Sequence, residues 1–444
     1  MPDYPFVPKT NAHLRPGQFW SIPLSDGRFG CGRVLAIDRE AEYGARTTFV
    51  GGLLDWVGAE PPTWDSIGGK AVLEVGYAHV GLIAESGGAV LGERPLELDS
   101  IEVPNDIPSA WGLRSMVRRA EHLFVAGNPP PEFERREVRS PLTDEMLRPS
   151  PTGRGVVQFE SLLTDGDFSR LAEWLRQYSQ MELRAYGSYD GSIRDIEFLR
   201  FFPFLRRFAV DGIGSLESID GLRYLPEDAE GIVIGWTKRK LDLAILGRFG
   251  ALRKLDIDGQ TKNIGVISRL ISLEGLTLRS ITLPDLSILL PLDRLLSLDI
   301  KLGGTKNLGL LPRIGALRYL ELLMIRGLSD ISAVGELPHL RHLSLQASKQ
   351  VEAIPDLTRC VALRRVELMT MKGIRDLRPL ATAPALEEVI LADMPQIQPE
   401  DLRPLVGLPR LKAVSYGDSL RKAAAAQALL GLPWVEGEFD WRQD

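Results

Sequence analysis

Leu317-Arg318-Tyr319-Leu320-Glu321-Leu322 is followed 23 residues later by Leu340-Arg341-His342-Leu343-Ser344-Leu345, and again by Leu363-Arg364-Arg365-Val366-Glu367-Leu368. The shared frame is L-x-x-L-x-L. Working upstream, it recurs at Leu295/Leu298/Ile300, Leu273/Leu276/Leu278, Leu252/Leu255/Ile257, Ala229/Ile232/Ile234 and Leu205/Phe208/Val210. Downstream it recurs at Leu386/Val389/Leu391 and Leu411/Val414/Tyr416. Successive copies start 21 to 25 residues apart. Leu183 with Tyr186 reads as a degenerate opening copy. Each frame leads into a variable turn and a second apolar cluster, such as Ile374 to Leu380. Thr261-Lys262-Asn263-Ile264-Gly265 returns as Thr305-Lys306-Asn307-Leu308-Gly309, a mark of internal duplication.

One such unit cannot bury its own leucines, but a stack of them can. The series resembles the bacterial, internalin-like class of leucine-rich repeat. That resemblance implies a solenoid with a parallel sheet on its concave face. Ten strands at about 4.8 Å spacing span roughly 43 Å. The frame residues point inward and the residues between them face out. The outward set is Arg253, Lys254, Asp256, Arg279, Asp299, Lys301, Arg318, Tyr319, Glu321, Arg341, His342, Gln346, Arg364, Arg365 and Glu367, with Met369 beside them. Basic and aromatic residues concentrate in the middle repeats, and Arg and Tyr are enriched at binding hot spots. This face is therefore the candidate partner-binding surface, although such charges are also what a solvated face carries. The usual family places Asn just after the frame. Here that column reads Gln260, Ile281, Gly303, Ile325, Ser348, Met371 and Met394, so less regular turns are expected.

Upstream of the repeats the chain changes character. Residues 1–127 are rich in Gly and short β-type runs. Asp26-Gly27 between Phe19 to Leu24 and Phe29 to Ile37 is a strong hairpin signal. Thr47 to Val50, Ala71 to Val75 and Val80 to Ala84 read as further strands, and Ser109 to Ala126 as a helix. The reading is a small antiparallel sheet or barrel with one closing helix. Residues 128–155 contain Pro129-Pro130-Pro131, Pro141, Pro149 and Pro151 and few apolar side chains, which reads as a linker. Residues 156–182 hold a helix, about Asp167 to Gln180, with Phe168, Leu171, Trp174 and Leu175 on one stripe. It reads as the N-terminal cap of a solenoid spanning 183–418. Residues 419–444 read as the C-terminal cap, with a helix from Ser419 to Leu430 and then Trp434, Phe439 and Trp441.

Leu14-Arg15-Pro16-Gly17-Gln18-Phe19-Trp20-Ser21-Ile22-Pro23-Leu24, followed by Asp26-Gly27-Arg28-Phe29-Gly30-Cys31-Gly32-Arg33-Val34-Leu35, is similar to the opening of the immunity protein 26 family. The likeness covers at most residues 10–125 and is sharp over 14–37. It implies a bacterial protein that protects its producer by binding a polymorphic toxin, and it carries over no catalytic residue. Gln18 stands where the family has an acidic residue. Read without the family, Gly30 and Gly32 are structural glycines that relieve crowding at a bulge or a close backbone approach.

Composition narrows the function. Hydrophobic residues make up 44% and charged residues 25%, the mix of a globular protein. A net charge of −6 argues against a nucleic-acid partner. The 17 residues from Met1 lack a basic stretch followed by an apolar one, so no signal peptide is expected. No run approaches 18 apolar residues, so no membrane partner is expected either. Cys31 and Cys360 lie far apart, which fits free thiols in a reducing cytoplasm.

Chemical motifs are weak. Gly417-Asp418-Ser419-Leu420 spells the signature of one hydrolase class, but no histidine follows it, and Asp418 or Ser419 reads as a helix N-cap. Gly27 to Gly32 lacks the Lys-Ser/Thr of a phosphate loop. His339 and His342 lie three apart without acidic company of metal-site type, so no metal or cofactor is expected. Arg114, Arg118 and Arg119 read as a solvated basic face. The expectation is a non-enzymatic protein-binding chain with no small-molecule substrate. A general adaptor joining two partners stands second. A hydrolase hidden in residues 1–127 stands third.

Overall fold

A computed structural model describes residues 3–24, 26–37, 46–85, 88–103, 110–111, 115–124, 134–150, 153–416 and 420–431. The chain divides into two compact units, Met1–Pro131 and Glu132–Asp444.

In the first unit six described strands form one sheet: β1 (Gln18–Pro23), β2 (Phe29–Ala36), β3 (Thr48–Gly58), β4 (Val72–His79), β5 (Val90–Glu93) and β6 (Ala110–Trp111). Their order is β5-β1-β2-β3-β4-β6, antiparallel except for the β4–β6 pair. The Asp26-Gly27 hairpin forms as read, with Pro23 opposite Phe29 and Gly27 at φ +85°. Alternate side chains serve two cores. Trp20, Ile22, Val34, Phe49 and Leu53 pack with Met116 and Ala120 of a helix, while Phe19, Cys31, Leu54 and Ile67 pack on the other face. Two details depart from the sequence reading. Val80 to Ala84 is not a strand; α1 occupies Gly81–Glu85. The closing helix is shorter, α2 (Ser115–Phe124), because Ala110 and Trp111 pair with β4 instead.

The second unit is a parallel ladder. Its described strands are β7 (Glu134–Glu137), β8 (Arg154–Phe159), β9 (Gln180–Tyr186), β10 (Arg207–Asp211), β11 (Gly231–Ile234), β12 (Lys254–Asp258) and β13 (Gly275–Arg279), then β14 (Ser297–Lys301), β15 (Tyr319–Leu323), β16 (His342–Gln346), β17 (Arg365–Met369), β18 (Glu388–Ala392) and β19 (Ala413–Tyr416). They run in sequence order across one sheet. β10 to β19 are the ten frame copies, one each. Equivalent residues stand side by side without slippage: Leu255 beside Leu276, Leu276 beside Leu298, Leu298 beside Leu320. The frame residues are buried in one core that runs from Val138 to Leu430. With only about 22 residues per rung, the return path is too short for an α-helix, and 3-10 turns such as Glu197–Phe201 and Leu243–Arg248 take its place.

The turns are more regular than the missing Asn column suggested. The residue two past the last frame position is left-handed in nine rungs: Gly187, Gly212, Gly259, Ser280, Leu302, Met324, Ala347, Thr370 and Asp393. β11 departs, with Trp236 in that place. Isolated side chains do the bonding that an Asn ladder would. Buried Gln260 accepts from the Leu241 N–H (2.8 Å) and donates to Thr237 Oγ1 (2.9 Å) and the Gly235 carbonyl (3.2 Å). Thr305 Oγ1 accepts from the Leu283 N–H (2.9 Å), and Gln396 donates to the carbonyls of Met371 (2.9 Å) and Ile374 (3.0 Å).

The N-terminal end corrects the sequence reading most. Part of the 128–155 linker is structural: β7 lies in it, β8 begins at Arg154, and Val138 and Leu142 enter the solenoid core. Few apolar groups suffice because the polar ones are bonded. Asp167 accepts from the Leu142 N–H (3.0 Å) and Ser140 Oγ (2.6 Å), tying this segment to α3 (Asp165–Leu175). α3 ends before Gln180, which instead opens β9. Thus 156–182 is a helix between two strands rather than a helix alone. The opening copy is Leu183/Ala185, aligned with Phe208/Val210, while Tyr186 faces out. Arg136 stands in the frame column of β7 beside Val157, where it closes the end of the core. Its Nη1 donates to the carbonyls of Met146 (2.8 Å) and Arg148 (2.6 Å), and its guanidinium lies 4.7 Å over Trp174. At the other end Ala426 and Leu430 of α4 (Leu420–Leu430) join the core. Pro129 to Pro131, Gly417 to Ser419, Trp434, Phe439, Trp441 and Arg114 lie outside the described residues.

Candidate functional site: the outer face of the ladder

Strand alternation places three outward columns on the sheet. Of the residues read as partner-facing, Lys254, Tyr319, His342 and Arg365 stand in the first column. Asp256, Asp299, Glu321 and Glu367 form the middle column, and Arg279, Lys301 and Gln346 fall in the third. Arg253, Arg318, Arg341 and Arg364 belong to none of these. They precede the first column by one residue and line the edge where each strand begins.

From β12 to β17 the charged residues of the middle column are all acidic, and the cations beside it are largely engaged. Lys301 Nζ lies 2.8 Å from Glu321 and 3.6 Å from Asp299. Arg365 bonds Glu367 through Nε at 2.8 Å and reaches Glu388 at 3.1 Å. Arg279 lies 3.4 Å from Asp258. Tyr319 donates to Glu321 (3.0 Å) and meets the His342 ring edge-on at 4.9 Å. His342 Nε2 lies 3.4 Å from Glu367. The basic character read from the middle repeats is therefore mostly cancelled within the face.

Burial and neighbours split the carboxyls. Burial pushes the Asp299 carboxyl up, with Lys301 opposing and Glu321 adding to the rise. Burial would also raise Glu367, but His342 and Arg365 overcome it and hold that carboxyl at about 2. Burial and the Asp299 and Glu321 carboxylates push the Tyr319 phenol up. One oxygen each of Asp256, Asp258 and Asp299 is shielded from solvent without a hydrogen-bond donor.

A hollow of about 500 Å³ crosses β11 to β14. Small outward residues, Val233, Gly235, Gly275, Thr277 and Ser297, open its floor, and Lys254, Asp256, Arg279, Asp299 and Lys301, all read from the sequence as partner-facing, stand around them. Trp236, 49% exposed, stands at its rim. Sequence reasoning missed Trp236 and these small floor residues. The available signal was a tryptophan at a place where no other rung carries an aromatic residue.

The glycines and arginine of the 14–37 motif act inside the first unit. A Cβ on Gly32 would lie 2.2 Å from the Trp20 ring, so only glycine fits there. At Gly30 the same atom would make only ordinary contacts, at 3.6 Å or more, although the β2–β3 register shifts between these two glycines. Arg33, fully buried, lies 2.7 Å from Asp99 and bonds the Pro95 carbonyl at 3.2 Å. Gln18 accepts from the Arg15 N–H (2.9 Å) and donates to Tyr4 (3.1 Å). Both cysteines are buried, and burial pushes their thiols up, Cys360 to about 11. His339 is exposed, whereas His342 is buried in the sheet face. No helix among the described residues is long and apolar enough to cross a membrane.

No family model matches the chain, and no curated protein does. Similar solved structures carry repeats. An internalin (inlF) of Listeria monocytogenes is 16% identical with a TM-score of 0.38, covering 59% of this chain and 79% of its own. Internalin C2 of the same organism is 22% identical, with a TM-score of 0.30, covering 57% and 84%. The Toll–Spatzle complex of Drosophila gives 16%, a TM-score of 0.40, and coverage of 66% and 38%. The leucine-rich-repeat fold is read from the ladder itself, which needs no support from these likenesses.

Proposed function

We propose that the chain is a non-enzymatic protein-binding protein that takes a partner on the outer face of its ladder. The observation that carries this is the face itself: a long sheet surface on which Arg279, Lys301, Tyr319 and Arg365 are held in mutual bonds with carboxylates, with a hollow in its floor and an exposed tryptophan at the rim. A face already ordered loses little conformational freedom on binding. Trp, Tyr and Arg, the residues that dominate interface energetics, all stand on it.

The similarity of residues 14–37 to the immunity protein 26 family favours a specific form of this reading. The protein would act in a bacterial cytoplasm and neutralise a polymorphic toxin by binding it. Coexpression with a toxin encoded beside the gene tests the idea: a stable complex and rescued growth are expected. A toxin that neither binds nor is restrained sinks the immunity reading. The division into two units, each with its own core, favours an adaptor as the second reading. Separate partner sets captured by residues 1–131 and by the repeats would select it.

A further inference from the structure

The row of residues at the strand-entry edge reads, from β10 to β19, Arg206, Glu230, Arg253, Glu274, Leu296, Arg318, Arg341, Arg364, Glu387 and Lys412. Opposite charges on successive rungs pair along it. Arg206 lies 3.2 Å from Glu230, Arg253 2.8 Å from Glu274, and Arg364 and Lys412 3.1 and 2.9 Å from Glu387. The alternation fails in the middle. Leu296 offers no charge, and Arg318 and Arg341 follow on adjacent strands with no ion pair among the described residues. Arg341 Nη1 is shielded from water and has no hydrogen-bond acceptor. Arg318 lines a second hollow, about 340 Å³, with Leu296 and Ser297.

From this gap we infer that Arg318 and Arg341 form the docking point for a carboxylate-bearing segment of the protein partner. The inference rests on the proposed binding role of this face and adds the partner's chemistry. Adjacent strands stand about 4.8 Å apart, so the two arginines are neighbours across the ladder and both can bond one acidic cluster. Elsewhere along the row a glutamate of a neighbouring rung fills that role. Here the partner supplies it. Apolar Leu296 gives the segment a dry contact beside the charges.

The test uses the full chain and a fluorescein-labelled Glu-rich peptide, with a Lys-rich peptide and inorganic phosphate as comparisons, read by anisotropy. The Glu-rich peptide should bind, more weakly as salt rises. The double variant R318Q/R341Q should weaken it roughly tenfold or more. The Lys-rich peptide should not bind. Equal binding by the double variant, no binding of the Glu-rich peptide, or equal competition by phosphate overturns the proposal. A floor variant, Thr277→Trp, separates this failure from that of the broader reading. If it abolishes capture of the toxin encoded beside the gene while R318Q/R341Q does not, the face binds protein and the acidic-segment proposal is wrong. If both variants capture normally, the binding role of the face has failed as well.

Discussion

Thr370 puts the turn column to a quantitative test. Its φ is +55°, a region that costs an ordinary L-residue roughly 1 to 2 kcal/mol and is least tolerated by β-branched side chains. The conformation is imposed because the Thr370 N–H donates to the Ala392 carbonyl at 2.9 Å, one rung away. Asn tolerates this region, and its side-chain amide can replace the bond that Thr370 Oγ1 makes to Asp393 (2.8 Å). The site is only half-buried, so little apolar contact is lost. Thr370→Asn should therefore stabilise the repeat unit by about 1 kcal/mol, which moves a urea midpoint by roughly 0.3 M if m is about 3 kcal/mol/M. The reverse change is Gly212→Thr, at φ +66°, where an added Cβ would sit 3.4 Å from the Gly187 nitrogen. It should cost about 2 kcal/mol. Urea unfolding followed by far-UV circular dichroism reads both. If Thr370→Asn lowers the midpoint while Gly212→Thr leaves it unchanged, the turn column is not where the ladder stores strain.

Other consequences follow from the same geometry. Leu320, fully buried in the core, should lose about 3 to 5 kcal/mol on change to Ala, measured by the same denaturation. Asp299 has a raised carboxyl, so its charge destabilises the fold above its folded pKa, and that penalty disappears as pH falls below the unfolded value. Asp299→Asn should raise stability at pH 7 and lose its advantage near pH 3; an advantage that grows on acidification contradicts the assignment. Glu367 has the opposite sign: held at about 2 against an ordinary 4.5, it contributes stability above pH 4.5 that is lost as pH falls towards 2. The Glu367→Gln variant should show a flatter stability profile across that window. Arg136→Ala should speed amide exchange in β7 and β8 far more than in β14, since rungs communicate through neighbours.

The ladder was legible because its signal is repeated in phase, so single weak copies such as Ala229/Ile232/Ile234 were carried by their neighbours. The ends were not legible because a cap breaks the pattern it terminates. Arg136 occupies a place that a leucine would hold in a middle rung, and β8 keeps only the later frame positions, Val157 and Phe159, with Arg154 where the opening leucine would stand. The 128–155 segment looked unable to order itself because hydrophobicity was counted and the bonds to Asp167, 25 and 27 residues away, could not be seen. On the outer face, strand alternation sets eleven of the fifteen residues read as partner-facing in the three columns, whereas Arg253, Arg318, Arg341 and Arg364, read with them, stand at the strand-entry edge instead. What it could not give was pairing. Lys301 with Glu321 and Arg365 with Glu388 join residues 20 and 23 apart, and their separation in space depends on rung register. The charged residues around the hollow were read from the sequence, but the hollow itself escaped notice because its floor is opened by the small side chains between them, which a search for reactive or charged residues passes over.

Because every rung stands in step with the next, the molecule can be edited lengthwise. Excising the segment 295–316 would remove one full turn of chain and bring Thr277 beside Glu321, with the leucines still in line. The scaffold would close over the splice, yet Lys301 would be gone and every charge beyond it would shift by one step against those before it. Loss or gain of a single unit thus rewrites what the surface can recognise while leaving intact the architecture that displays it.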